Sequence, residues 1–144
     1  MEIIIKQQEE LAKGKVVFEV NEVTPTVLRA IQILSSPEDL TVYQDNQIFL
    51  LKAADVFYIE TVDTKTYVYT KDQVYVSRLK VSEIESTTGK DYFLRANKQT
   101  LINQRRIKSV APAGGGRFQA VFTNNDKIII SRQYVPLIKA HYRV

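Results

Sequence analysis

The stretch Tyr92-Phe93-Leu94-Arg95-Ala96-Asn97-Lys98-Gln99-Thr100-Leu101-Ile102-Asn103-Gln104-Arg105-Arg106-Ile107 carries the densest run of chemically capable side chains in this sequence. Apolar blocks at both ends can anchor it in a core. Between them, Arg95, Asn97, Lys98, Gln99 and Thr100 can all donate hydrogen bonds. Donors of this kind suit phosphate oxygens and the acceptors on base edges. A loop of that composition, projecting from a rigid scaffold, can enter a major groove without a recognition helix. An ordinary polar loop has the same composition, and spacing alone leaves both readings open.

Other chemistries are largely absent. The chain has no Cys and a single His, His141. That excludes a thiolate nucleophile, a structural zinc site, an iron-sulfur cluster and a Ser-His-Asp triad. No catalytic residue, metal, cofactor or small-molecule substrate is expected. Gly114-Gly115-Gly116 lacks the Lys-Ser/Thr and helix start that a phosphate loop requires; Arg117-Phe118 instead open a strand, which predicts a hairpin loop. Nothing in the spacing of Asp55, Glu60 and Asp63 selects a glycosidase-like pair over solvent-facing strand positions. Tyr67, Tyr69 and Tyr75 invite a base-stacking reading, but alternating aromatics more often form cross-strand pairs.

Charge is unevenly spread beneath a formal net of +4. Residues 1–40 hold 4 Lys/Arg against 7 Asp/Glu, residues 41–89 hold 5 against 7, and residues 90–144 hold 11 against 2. A basic last third is the electrostatic footprint of a polyanion partner, because cations that neutralise phosphates release condensed counterions. Acidic proteins and membrane surfaces attract the same charge, so the alternative is an interaction module binding an acidic partner through its basic face.

The elements that must position these residues follow from length and periodicity. With 144 residues, 44% of them hydrophobic, the chain can bury a core without disulfide or metal. Residues 2–5 and 16–20 read as short β segments. Thr24 as N-cap, Pro25 at the first helical position, and Val27, Leu28, Ile31 and Leu34 at helical spacing predict a helix, stopped by Ser35, Ser36 and Pro37. From Thr41 onward the pattern is strands and tight turns at Asp45-Asn46, Asp63-Thr64-Lys65, Lys71-Asp72 and Asn124-Asn125-Asp126. Tyr67–Thr70 pairs with Val74–Ser77, a brief helix runs through Ser82 to Thr87 and ends at Gly89, and Phe118–Phe122 pairs with Ile128–Ile130. Arg132 through Tyr142 closes the chain as a short helix with Pro136 in its first turn. The expected class is mostly β with few helices: a 1–40 extension of short strands and one amphipathic helix, then a 41–144 β domain. The amino terminus has no signal-peptide pattern and no apolar run reaches membrane-spanning length, so a cytoplasmic location is expected.

Taken together, Phe93-Leu94-Arg95, Asn97-Lys98-Gln99-Thr100, Leu101-Ile102-Asn103, Ile107 and Ser131-Arg132-Gln133-Tyr134 resemble the LytTR family of bacterial DNA-binding regulators. Ile59-Glu60, a turn, and Tyr67-Val68-Tyr69-Thr70 resemble its early hairpin, so the likeness covers about residues 41–144. It implies an elongated β fold whose loops contact successive major grooves of double-stranded DNA, at directly repeated sites bound by a dimer, often with bending. By position, Lys98 and Arg132 become the foremost base-edge contacts, and Thr61 to Lys65, with Asp63 and Lys65, forms a third contacting loop. Asn103 and Arg95 organise the loop or bind backbone phosphate.

Many members carry His or Ser at the position of Asn97 and Ser at that of Gln99; hydrogen-bonding capacity is retained while sequence preference shifts. With 40 residues ahead of the β domain, no receiver domain like that of the best-known members is expected. Those residues resemble instead the compact stand-alone members, some of which are restrained by a small membrane protein. The Val27/Leu28/Ile31/Leu34 stripe is expected to pack on the β domain rather than form a dimer face.

Overall fold

A computed structural model describes residues 2–36, 38–87 and 91–143. The chain divides into two compact units, Met1–Leu34 and Ser35–Val144. In the first, Pro25–Leu34 forms helix α1, and the Thr24 hydroxyl accepts from the Val27 amide at 3.3 Å as an N-cap should. The predicted stop at Pro37 lies outside the described residues.

No strand forms among the described residues of that unit, which corrects the β reading of 2–5 and 16–20. Ile3, Ile4 and Ile5 are 70–88% exposed. β propensity there finds no partner, and an unpaired strand has no ladder to satisfy its backbone. The extension is therefore a helix preceded by irregular chain rather than a β-plus-helix unit.

The second unit holds strands β1 (Asp39–Gln44), β2 (Gln47–Lys52), β3 (Tyr58–Val62), β4 (Lys65–Tyr69) and β5 (Val74–Ser77), then helix α2 (Val81–Ser86). Strands β6 (Phe93–Asn97), β7 (Thr100–Asn103), β8 (Ile107–Gly114), β9 (Arg117–Phe122) and β10 (Lys127–Ile130) follow, and helix α3 (Val135–Tyr142) closes it. The expected end of α2 at Gly89 lies outside the described residues. Among those described, none of the helices is long and apolar enough to cross a membrane.

Two antiparallel sheets result, ordered β2-β1-β5-β4-β3-β7-β6 and β10-β9-β8. Register is set by turn chemistry. Asp45 and Asn46 join β1 to β2 at φ 50° and 61°, and Asp63 and Thr64 join β3 to β4 at 48° and 71°. Both central residues are left-handed, as in two-residue turns that match the twist of a hairpin. Period-two alternation then divides the core. Ile59, Val68, Leu101 and Phe93 pack with Val81 and Ile84 of α2, while Tyr58 and Ile102 pack with Ala120, Phe122 and Ile130 of the small sheet and Val135 and Ile138 of α3.

Of the tyrosines that invited a base-stacking reading, Tyr69 and Tyr75 form structural pairs. Tyr58 stacks on Tyr69 with ring centroids 4.3 Å apart, and Phe49 meets Tyr75 at 5.2 Å. Burial, together with the Asp126 carboxylate that accepts from its hydroxyl at 3.1 Å, pushes the Tyr58 phenol well above its ordinary range. The bond joins the large sheet to the β9–β10 turn of the small one.

Candidate nucleic-acid interface

Strand directions gather distant chain segments at one end of the second unit. Strand β3 runs into the Asp63-Thr64 turn, β6 into Lys98-Gln99, β8 into the Gly115-Gly116 turn, and β10 into Ser131. Because β3 and β7 are neighbours, the first two tips stand about two strand spacings apart, roughly 10 Å, inside the ~12 Å width of a major groove.

Hydrogen bonds fix the tips to one another. The Thr61 amide donates to the Gln99 carbonyl at 2.9 Å, tying the β3–β4 hairpin to the β6–β7 tip. The Ser131 amide donates to the Ala96 carbonyl at 2.8 Å, and the Ser131 hydroxyl supports it at 3.3 Å. Asn97 donates to the Ile129 carbonyl at 3.3 Å and accepts from the Gln99 amide at 2.9 Å, closing a local turn. Gly116 lies against the aliphatic part of Arg132, so the β8–β9 hairpin joins the same row.

Along this row Lys65, Lys98, Arg132 and Arg117 are exposed, as are Asp63 and Gln99. The structure thus brings Lys65, Lys98 and Arg132 to one end and adds Arg117, which the sequence reading missed. Its only signal in the sequence was a cation closing the glycine turn predicted as a hairpin.

Other candidate residues face elsewhere. Thr100 is 2% exposed, held on β7 between β3 and β6, so its hydroxyl is closed to an outside partner, and its expected contact role is corrected. Asn103 is sealed as well, at 0% exposure. Its amide nitrogen donates to the Val56 carbonyl at 2.8 Å and its oxygen accepts from the Arg105 amide at 3.0 Å. It organises the 53–56 segment rather than the tip, and a phosphate cannot reach it. Arg95 is turned toward α2, where it grips Glu85 and the Lys98 carbonyl. That hydrogen-bonded pairing holds the Glu85 carboxyl below the usual carboxylate range.

Gly116 permits the close approach of Arg132. Its φ is +77°, and a Cβ built there would stand 2.6 Å from Arg132 Cδ and 2.9 Å from Cγ. Gly116→Ala is expected to push Arg132 out of the row and strain the turn by about 1 kcal/mol. Titration of duplex against this variant should reveal weaker binding with only a small drop in melting temperature.

One end of this β domain thus carries exposed cations on a largely buried scaffold. The profile of the LytTr DNA-binding domain matches residues 46–143, and the chain belongs to that family. Among curated relatives, the sensory transduction protein LytT of Enterococcus faecalis is 22% identical over 71% of this chain. The transcriptional regulatory protein LytR of Staphylococcus aureus is 25% identical over 72%. YpdB of Escherichia coli, also named a transcriptional regulatory protein, is 23% identical over 58%. The matches span 42%, 42% and 34% of those relatives, so this chain corresponds to well under half of each. The LytTr DNA-binding domain of a response regulator from Bacillus cereus shares the fold, with a TM-score of 0.71 at 21% identity, covering 76% of this chain and all of that one.

Proposed function

We propose that this protein is a non-enzymatic transcriptional regulator that binds double-stranded DNA sequence-specifically in the cytoplasm, without a cofactor. The observation that carries the reading is the row of exposed cations at Lys65, Lys98, Arg132 and Arg117, on segments joined by the Thr61–Gln99 and Ser131–Ala96 hydrogen bonds and by the approach of Gly116 to Arg132. Lys98 and Arg132 supply base-edge contacts in the major groove, Lys65 and Arg117 neutralise flanking phosphates, and Gln99 adds hydrogen-bonding capacity at the tip. Asp63, in the same hairpin, accepts from cytosine amino groups or excludes unfavourable phosphate positions. Family membership and relatives named as transcriptional regulators support the assignment. Successive grooves at directly repeated sites, occupied by two copies of the chain, complete the proposal.

Selection of bound duplexes from a random pool tests it: a recovered repeat supports the reading and fixes stoichiometry. With about six phosphate contacts, log affinity should fall with log salt at a slope near −5. Failure to retard any duplex at low salt would point instead to an acidic protein as partner of this face.

A further inference from the structure

We infer that Glu85, on α2 behind the sheet, is a positioning residue that sets the base selectivity of the Lys98 tip, acting through Arg95 on the main-chain carbonyl of Lys98. The inference rests on the DNA-binding reading and adds a residue that does not itself touch DNA.

The geometry is a relay. Arg95 Nε donates to Glu85 Oε2 at 2.9 Å and Nη2 donates to Oε1 at 2.8 Å, a two-pronged match of guanidinium and carboxylate. The remaining nitrogen, Nη1, donates to the Lys98 carbonyl at 2.7 Å. Both side chains sit on firm ground. Arg95 faces Leu101 across the β6–β7 ladder, and Glu85 follows Ile84, which is fully buried.

The tip needs this support because its ladder is interrupted. Register shifts between Arg95 and Asn97, and Lys98-Gln99 lies beyond the last paired residues, Asn97 and Thr100. Ser131 holds the Ala96 carbonyl and Thr61 holds that of Gln99. The Lys98 carbonyl is held from the opposite side of the sheet by Arg95. Fixing that carbonyl fixes the peptide plane after Lys98, and with it the direction in which the exposed Lys98 side chain leaves the backbone. Base recognition tolerates errors of only about 0.5 Å in such placement. Glu85 locks the plane of the guanidinium, without which Arg95 has several rotamers and no preferred aim.

Two effects of Glu85 on DNA have opposite signs. Its negative charge disfavours phosphate everywhere, whereas its hold on Arg95 favours only the cognate bases. Glu85→Gln should therefore leave affinity for a shuffled duplex unchanged or raise it, while affinity for a duplex recovered by selection falls. The expected loss in the ratio of the two is about fivefold, the low end of what one base-edge pair discriminates. The Arg95 side chain is only 13% exposed, but that of Glu85 is 43% exposed and a glutamine there can still accept from Arg95, so the melting temperature should move slightly.

The decisive experiment pairs this variant with the exchange Glu85→Arg plus Arg95→Glu, using selected and shuffled duplexes of equal length and a thermal melt of each protein. The exchange restores the ion pair, yet a carboxylate at position 95 cannot donate to the Lys98 carbonyl. The melting temperature should again stay close to the parent's while discrimination stays low. Full recovery of discrimination in the exchange variant would overturn the inference, as would a Glu85→Gln ratio equal to the parent's or an equal loss on both duplexes. A parent protein that prefers neither duplex would instead sink the DNA-binding reading itself.

Discussion

Lys98→Ala is expected to weaken binding to a selected duplex by about tenfold or more, and Arg132→Ala by a similar factor, while unrelated duplexes lose far less affinity. Both side chains are exposed at the same end of the molecule, on segments whose main chains are joined through Ala96 and Ser131. A Lys or Arg paired with guanine acceptors discriminates by roughly 1–3 kcal/mol, and truncation to Ala removes that contact without disturbing the core. Competition measured by fluorescence anisotropy separates the alternatives. Equal losses on all duplexes would assign these residues to phosphates, and the measured salt slope would then shrink by about one for each. Combining the two substitutions should give nearly the sum of the separate losses if each side chain reads its own base pair.

The largest stability effect should come from Asn103→Ala. Truncation strands the Val56 carbonyl and the Arg105 amide, removes the longer contacts to the Ala53 and Ala54 carbonyls at 3.4 Å, and leaves a void in a fully buried site. The buried Val56 carbonyl costs about 1–3 kcal/mol when stranded, the part-buried Arg105 amide costs less, and the void adds to both, so a loss of roughly 2–4 kcal/mol is expected. For a unit of this size the melting temperature should fall by roughly 10 °C or more. Asn103→Asp should be no better: it retains the acceptor for Arg105 but turns a carboxylate toward three carbonyl oxygens. Circular dichroism melts of the two variants check both statements.

Much of this architecture is readable from local signals. Asp45-Asn46 and Asp63-Thr64 announce left-handed turns, and Thr24-Pro25 announces the start of α1, because those preferences reside in a few adjacent residues. The C-terminal helix is equally local, with Pro136 in its first turn as expected. The failures are non-local. Ile3–Ile5 has strand propensity but no neighbour to pair with, and propensity cannot reveal that. Thr100 reads as the last residue of a polar loop, yet it begins a strand buried along its whole length between β3 and β6, where polar-out alternation disappears. The partner of Arg95 stands ten residues away on a helix, and Gly116 meets Arg132 from a separate hairpin. Contacts of that kind depend on which strands become neighbours, and no short window of sequence holds that information.

The ties from Thr61 to Gln99 and from Ser131 to Ala96 have one more consequence. Independent fingers on flexible stalks could each seek their own base and so tolerate operators of varied layout. Bolted together, they act as a ruler. A single extra base pair between half-contacts slides the next one about 3.4 Å along the axis and swings it by roughly 35°. A ruler cannot follow that swing, so in the proposed complex the operator's phase, as much as its letters, would decide binding.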